Sequence, residues 1–321
     1  MKLLSILAAG IGIAVIAALV DHFGLDPLLH SLYAIGWGAF IAVCLIHLAL
    51  IAVMGVAWSV LLPGISPWTV IWGRLVREAG GELLPLSQVG GYVLGARAAN
   101  LLGVSAAAAA ASTIVDVTLE FFAEIAYIAL ALLWLIHLNP GIRLVLPLAS
   151  GLIAAAFLAI LFFLVQRRGI GGFERLIRMS GHGWAERMGA GAAALHRAIH
   201  AIYDRRLGLS TNSAIHFACW IASSVEVWLA LRVAGAPLDI GRVLVLESLA
   251  YAARSAAFLI PGGVGVQEGA YVLVGTSLGL SPQMALAISL LKRARDLVIG
   301  VPTLGVFQAV ESGRFWRRSP R

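Results

Sequence analysis

Six long apolar runs set the pattern of the chain: Leu3–Val20, Ala34–Leu62, Ser105–Leu138, Leu144–Gln166, Ser210–Val233 and Pro282–Val310. Each is close to or beyond the ~20 helical residues needed to cross a hydrocarbon layer roughly 30 Å thick. Before the third and sixth runs the apolar pattern is interrupted by Pro, clustered Gly and ionisable side chains. Pro85-Leu-Ser-Gln-Val-Gly-Gly-Tyr-Val-Leu-Gly runs on to Leu102-Gly103-Val104-Ser105. At an offset of 176 residues, Pro261-Gly-Gly-Val-Gly-Val-Gln-Glu-Gly-Ala-Tyr-Val-Leu-Val-Gly runs on to Leu278-Gly279-Leu280-Ser281. Broken apolar segments at matching places in two halves are the sequence mark of half-helices around a transporter site. The pattern predicts an all-α integral membrane protein, a polytopic helical bundle with two re-entrant, broken-helix hairpins in an inverted repeat. A single transmembrane domain takes in residues 1–321, with repeat-like halves at about 34–105 and 210–281. The first run follows Lys2 as a signal peptide would, but no small-x-small cleavage site precedes Asp21, so a retained helix is expected.

Composition agrees: 60% of residues are hydrophobic and 12% charged, which excludes an ordinary soluble domain. The net charge of +7 matters less than where it sits. The stretch from Gln166 to Gly208 carries eight Arg (Arg167, Arg168, Arg175, Arg178, Arg187, Arg197, Arg205, Arg206) against Glu174, Glu186 and Asp204. Arg314, Arg317, Arg318 and Arg321 follow near the end. The positive-inside rule makes the linker 167–208 and the C-terminus cytoplasmic. Counting crossings from that side brings the two Pro/Gly hairpins in from opposite faces, although 244–281 crossing twice satisfies the charges equally. Trp184, Met188, Ala192, Leu195, Ile199 and Ile202 recur at helical spacing within the linker. That helix lies either on anionic lipid headgroups or beneath the bundle. The basic content needs no nucleic-acid partner.

Candidate chemistry concentrates on one helical stripe, where Ser112, Asp116, Glu120 and Glu124 succeed one another at i+4. An acid at mid-membrane costs roughly 2.5–3.5 kcal/mol, so the stripe must face protein or water. It is expected to line a substrate or proton path, or to pair with Arg74, Arg77, Arg97 or Arg254. In the second hairpin Pro261, Gly262, Gly263 and Gly265 precede a helix start near Val266, where bare amides suit an anionic headgroup beside Glu268. Tight helix packing at Gly265-x-x-x-Gly269 is the other reading. The first hairpin offers Glu82, Pro85, Gln88 and Arg97, and Arg97 suits a phosphate or an acid of the stripe. Lys292, Arg293, Arg295 and Asp296 crowd one turn of the last run, as anchors or as working residues according to depth. Nucleotide motifs are missing, since Gly263-Val-Gly-Val-Gln-Glu268 breaks the dinucleotide fingerprint and no P-loop occurs. His196 and His200 lack the Glu of a zinc-protease helix, and Cys44 and Cys219 are a lone pair within apolar runs. No cofactor, metal or catalytic residue is expected.

The Pro261–Gly269 string, the Ser112–Glu120 stretch and the Gly80–Ala99 hairpin resemble the transmembrane region of lysylphosphatidylglycerol synthases and their stand-alone relatives, along essentially the whole chain. Trp72-Gly-Arg-Leu-Val-Arg-Glu and Leu86-Ser-Gln-Val-Gly-Gly-Tyr look like the branch associated with bacterial hopanoid biosynthesis. The resemblance implies a multi-pass protein of the bacterial inner membrane that handles lipids, with membrane lipids as partners. It implies no aminoacyl transfer, because no transferase domain accompanies it here. Val117 stands where the family pattern leads to an Arg after the acid. The expected function is translocation or transport of a polar or anionic lipid, phospholipid or hopanoid. A membrane-embedded lipid-modifying transferase and a non-catalytic scaffold for lipid-biosynthesis partners are the alternatives.

Overall fold

The computed structural model describes residues 17–18, 20–84, 87–138, 145–168, 183–257 and 260–318. The predicted Leu3–Val20 helix lies almost wholly outside them, as do Pro85 and residues 169–182 of the linker. Helix α1 (Leu25–Val60) is broken at Gly36, whose φ of 70° no helical residue adopts, so the apolar run that begins at Ala34 corresponds to its longer part. Two short helices follow, α2 (Pro67–Leu83) and α3 (Ser87–Leu101), and then a long one, α4 (Ala106–Leu138). After α5 (Val145–Arg168) and α6 (Gly183–Tyr203) the same order returns. Long α7 (Arg206–Val233) precedes short α8 (Ile240–Ala256) and α9 (Val266–Ser277), joined through a 3-10 turn at Pro261–Gly263, and long α10 (Pro282–Arg318) closes the set. Among the described residues there is no strand. Helices α1, α4, α5 and α7 are long and apolar enough to cross a membrane.

The repeat is visible in the backbone itself. Gly103 (φ 105°) and Gly279 (φ 100°) take the same left-handed turn, which L side chains resist. Val104 N bonds Ala99 O as Leu280 N bonds Gly275 O, at the 176-residue offset. Ser105 then accepts from Ala108 N, as Ser281 accepts from Met284 N, capping α4 and α10 alike. The two copies are inverted. Asn212 bonds Ala57 O, His47 bonds Glu226, and Leu28, Ile35 and Val43 pack with Val227 and Leu231, so the equivalent helices α1 and α7 run antiparallel.

The short helices fall below a full crossing. At 1.5 Å per residue, α2 reaches ~26 Å and α9 ~18 Å, which suits half-spanning hairpins whose tips stop inside the bundle. Glycines hold the first hairpin closed. A Cβ at Gly91 would lie 2.6 Å from Gly81 N, and one at Gly95 2.7 Å from Arg77 Cβ. The linker helix α6 lies under the bundle: Ile199, Ile202 and Tyr203 join Trp58, Val115 and Leu119 in one apolar cluster. Tyr203 also donates to Gln166, which donates to Thr118.

Gly91→Ala is therefore expected to cost about 1–3 kcal/mol by forcing α2 and α3 apart. Gly269→Ala, whose Cβ would meet nothing within 4 Å, is expected to leave stability near wild type. Thermal unfolding midpoints of the two variants in one detergent check both.

Candidate functional site

Each hairpin ends on a charge, and the two tips meet. Glu82, at the end of α2, pairs with Arg254, at the end of α8. Positive φ values at Gly262 (57°), Gly263 (60°) and Gly265 (83°) let the second tip fold tightly enough for this contact. A Cβ at Gly262 would sit 2.8 Å from Glu82 O, and one at Gly263 2.9 Å from Arg254 Cγ. The loop's polar groups are satisfied from within. Gly265 N donates to Glu268 Oε2 at 2.7 Å, Arg293 Nε donates to Glu268 Oε1 at 2.7 Å, and Arg293 Nη1 donates to Gly262 O at 2.6 Å. The expected open nest of amides is thus a capping box closed by its own glutamate. Gly262, Gly263, Gly265 and Glu268 shape the tip and bond within it.

The i+4 stripe on α4 faces inward, and its members are treated differently along its length. Ser112 accepts from Trp58 Nε1 at 3.0 Å. Asp116 accepts from Arg77 at 2.7 Å and Asn212 at 2.8 Å, and bonds His216 at 3.0 Å. Glu120 receives both terminal nitrogens of Arg74 at 2.8 Å and is shared with Arg77. Glu124, 6% exposed, has a single bond, from Ser255 Oγ at 2.6 Å. Among the described residues it is the one acid of the stripe that no cation contacts. The donor atoms of Asp116, Glu120 and His216 lie within 4.8 Å of one another, a spacing that suits a metal ion. The Arg77 guanidinium already bridges the two carboxylates, so a metal there would have to displace it.

A second network fills the other copy. Arg295 bridges Glu226 and Asp296, and His47 bonds Glu226 at 3.0 Å. Lys292 donates to Glu247 at 2.7 Å and lies over the Tyr251 ring, 4.7 Å from its centre. In the crowded turn of α10, Lys292, Arg295 and Asp296 are therefore buried against the other helices. Sequence reasoning missed His47, Asn212, His216, Glu226 and Glu247. Their signal was available, each being a strongly polar residue within a largely apolar helix, with Asn212 and His216 at i+4 on α7.

Between the hairpin tips and α4 lies a cavity of about 260 Å³. Of the predicted residues, Arg77, Glu82, Gln88, Glu120, Glu124 and Arg254 line it. Asp116 lies behind Arg77 and supports it. Arg97 does neither: it pairs with Glu311 at 2.7 Å, its side chain 43% exposed on the outside of the bundle. Gly95 packs against Arg77, and two helical residues further on, about 200° of rotation, point the other way. Leu50, Met54, Val117, Phe121, Ala159 and Phe162 form an apolar wall of the same cavity.

A family model described as the lysylphosphatidylglycerol synthase TM region matches residues 5–302. No curated protein and no solved structure matches the chain.

The buried pairs give a direct test. Lys292→Met leaves Glu247 without its cation, with the Tyr271 hydroxyl still donating to it, and is expected to destabilise by about 3–5 kcal/mol. Lys292→Met with Glu247→Leu is expected to recover most of that loss, while Arg97→Ala, on an exposed pair, changes little. Denaturation of the variants in a common micelle measures all three.

Proposed function

Because the chain belongs to the lysylphosphatidylglycerol synthase transmembrane-region family, a membrane family of lipid-handling type, we propose that it carries a polar-headed lipid between leaflets. The head occupies the cavity at the meeting of the two hairpin tips, and the tails stay in the bilayer. The observation that carries this is the character of the cavity: ionised residues on one side, and on the other the apolar wall from α1, α4 and α5. An amphiphile has that same division. Arg74 Nε, Trp220 Nε1 and Glu82 Oε2 are buried polar atoms without a partner in residues that line it, two donors and one acceptor.

Charge balance narrows the head. The cavity and the groups bonded to it hold Arg74, Arg77, Arg254, Arg295 and, through Tyr251, Lys292 against Glu78, Glu82, Asp116, Glu120, Glu124, Glu226 and Asp296. The Arg and Lys side chains are outnumbered by the acids. A purely anionic head adds to that excess, whereas a zwitterionic head places its phosphate by Arg254 and its cation by the acids. We place the protein in the bacterial cytoplasmic membrane with 167–208 and the C-terminus on the cytoplasmic side.

In proteoliposomes of phosphatidylethanolamine and phosphatidylglycerol, leaflet exchange of acyl-labelled phosphatidylethanolamine is expected to exceed that of empty vesicles. Arg254→Gln, which removes a charge-assisted contact worth about 1.5–3 kcal/mol, is expected to slow it at least about tenfold. Exchange no faster than in empty vesicles for ethanolamine, glycerol and hopanoid lipids alike would end this proposal.

A further inference from the structure

Glu124 is the exception in the cavity. The other carboxylates that line it each touch a guanidinium: Glu78 and Glu120 touch Arg74, and Glu82 touches Arg254. Glu124 is 6% exposed and accepts one hydrogen bond, from Ser255 Oγ to Oε1, which leaves Oε2 facing the cavity. The cations nearby are committed elsewhere. From α2, Arg74 and Arg77 are held by Glu78, Glu120 and Asp116. Arg254 of α8 is held by Glu82 and Gln267, and His47 of α1 bonds Glu226. From α3 comes Tyr92, beneath Arg77, from α7 Trp220 and Ser223, from α8 Tyr251, and from α10 Arg295, which is held by Glu226 and Asp296; α5 brings only Ala159 and Phe162. Among the described residues, then, the protein supplies no counter-charge to this carboxylate.

An uncompensated carboxylate in such a place is costly, so its charge must be cancelled by something in the cavity. Two cations suit a free carboxylate oxygen: a proton, and the ammonium of a lipid head. One oxygen cannot hold both. We infer that Glu124 exchanges a proton for the positive charge of the head, so that lipid movement is coupled to proton movement in the opposite direction. When the head enters, the carboxyl O–H breaks, the proton passes to cavity water, and an ammonium N–H donates to the carboxylate. When the head leaves, a proton from water on that side restores the O–H. No oxidant, nucleotide or metal is needed. The inference rests on the translocation proposed above and adds its energy source.

The test uses the full chain in vesicles of phosphatidylethanolamine and phosphatidylglycerol, with a one-unit pH gradient and the membrane potential clamped. The readout is the fraction of acyl-labelled phosphatidylethanolamine in each leaflet at steady state. One proton exchanged per lipid sustains up to about tenfold asymmetry per pH unit. Glu124→Gln, which removes the carboxylate that receives the ammonium, is expected to slow exchange and to leave the leaflets equal at every gradient. Wild-type protein that exchanges lipid but leaves the leaflets equal overturns the inference, as does a Glu124→Gln protein that keeps the asymmetry. Wild-type protein that exchanges nothing overturns the translocation proposal itself, and this inference with it. Should Glu124→Gln not fold, Ser255→Ala keeps the carboxylate and removes its one hydrogen bond. It is expected to displace the midpoint of the rate–pH profile, and an unmoved midpoint counts against the inference.

Discussion

An ionised side chain inside a bilayer must find its opposite within the protein, and this requirement orders the whole bundle. Asp116 ties α4 to α2 through Arg77 and to α7 through Asn212 and His216. Glu226 ties α7 to α10 through Arg295 and to α1 through His47. Lys292 ties α10 to α8, and the Glu82–Arg254 pair joins the two hairpin tips. Lipid offers helices little reason to prefer one apolar neighbour over another. Buried pairs supply that preference, since a shifted register or a wrong neighbour strands a charge. Their net contribution to stability is small or even negative, and what they add here is a unique arrangement.

Inverted duplication gives these pairs an unusual feature. Asp116 and Lys292 occupy the same place in the two copies, at the 176-residue offset, and carry opposite charge. Each reaches the first hairpin helix of its own copy, and the partners are reversed to match: Arg77 in α2, Glu247 in α8. Glu120 and Asp296, again equivalent, keep the same sign and meet Arg74 and Arg295. The backbone is therefore close to two-fold while the electrostatics are not. A cavity at the interface of such halves has distinguishable sides, which a zwitterion can read and an apolar molecule cannot.

Much of this was legible in the sequence, and the limits follow from what periodicity carries. Apolar runs gave α1, α4, α5, α7 and α10, because crossing length and hydrophobicity are properties of one segment. The stripe from Ser112 to Glu124 was legible because helical spacing fixes which residues share a face. Partnership was not, because it depends on which helix arrives opposite. The fit of His216 to Asp116, 100 residues apart, has no local signal. Arg97 was legible in principle: once Gly91 and Gly95 are taken as the face packed on α2, a residue two positions beyond Gly95 must face away. The glycine loop misled for a related reason. Three glycines before a helix suit either an anion nest or a tight tip, and Glu268 three residues after Gly265 is the feature that selects the closed form.

The distribution of bonds between the copies bears on how such a protein moves. Within each copy the buried contacts are mainly pairs of fixed charge, Arg74 and Arg77 with α4 in one, Arg295 and Lys292 with their acids in the other. Contacts that cross the interface around the cavity are mostly hydrogen bonds: His216 with Asp116, His47 with Glu226, Ser255 with Glu124, Asn212 with Ala57 and Tyr127 with Ser224. Glu82–Arg254 is an Arg–carboxylate pair across the same interface, and it sits where the tips meet. Two halves tied internally by buried ion pairs, and to each other by hydrogen bonds and one central ion pair, are suited to rocking about that pair. A ligand that competes for Arg254 or Glu124 acts on those joints directly, so loading the cavity and loosening the interface become one event.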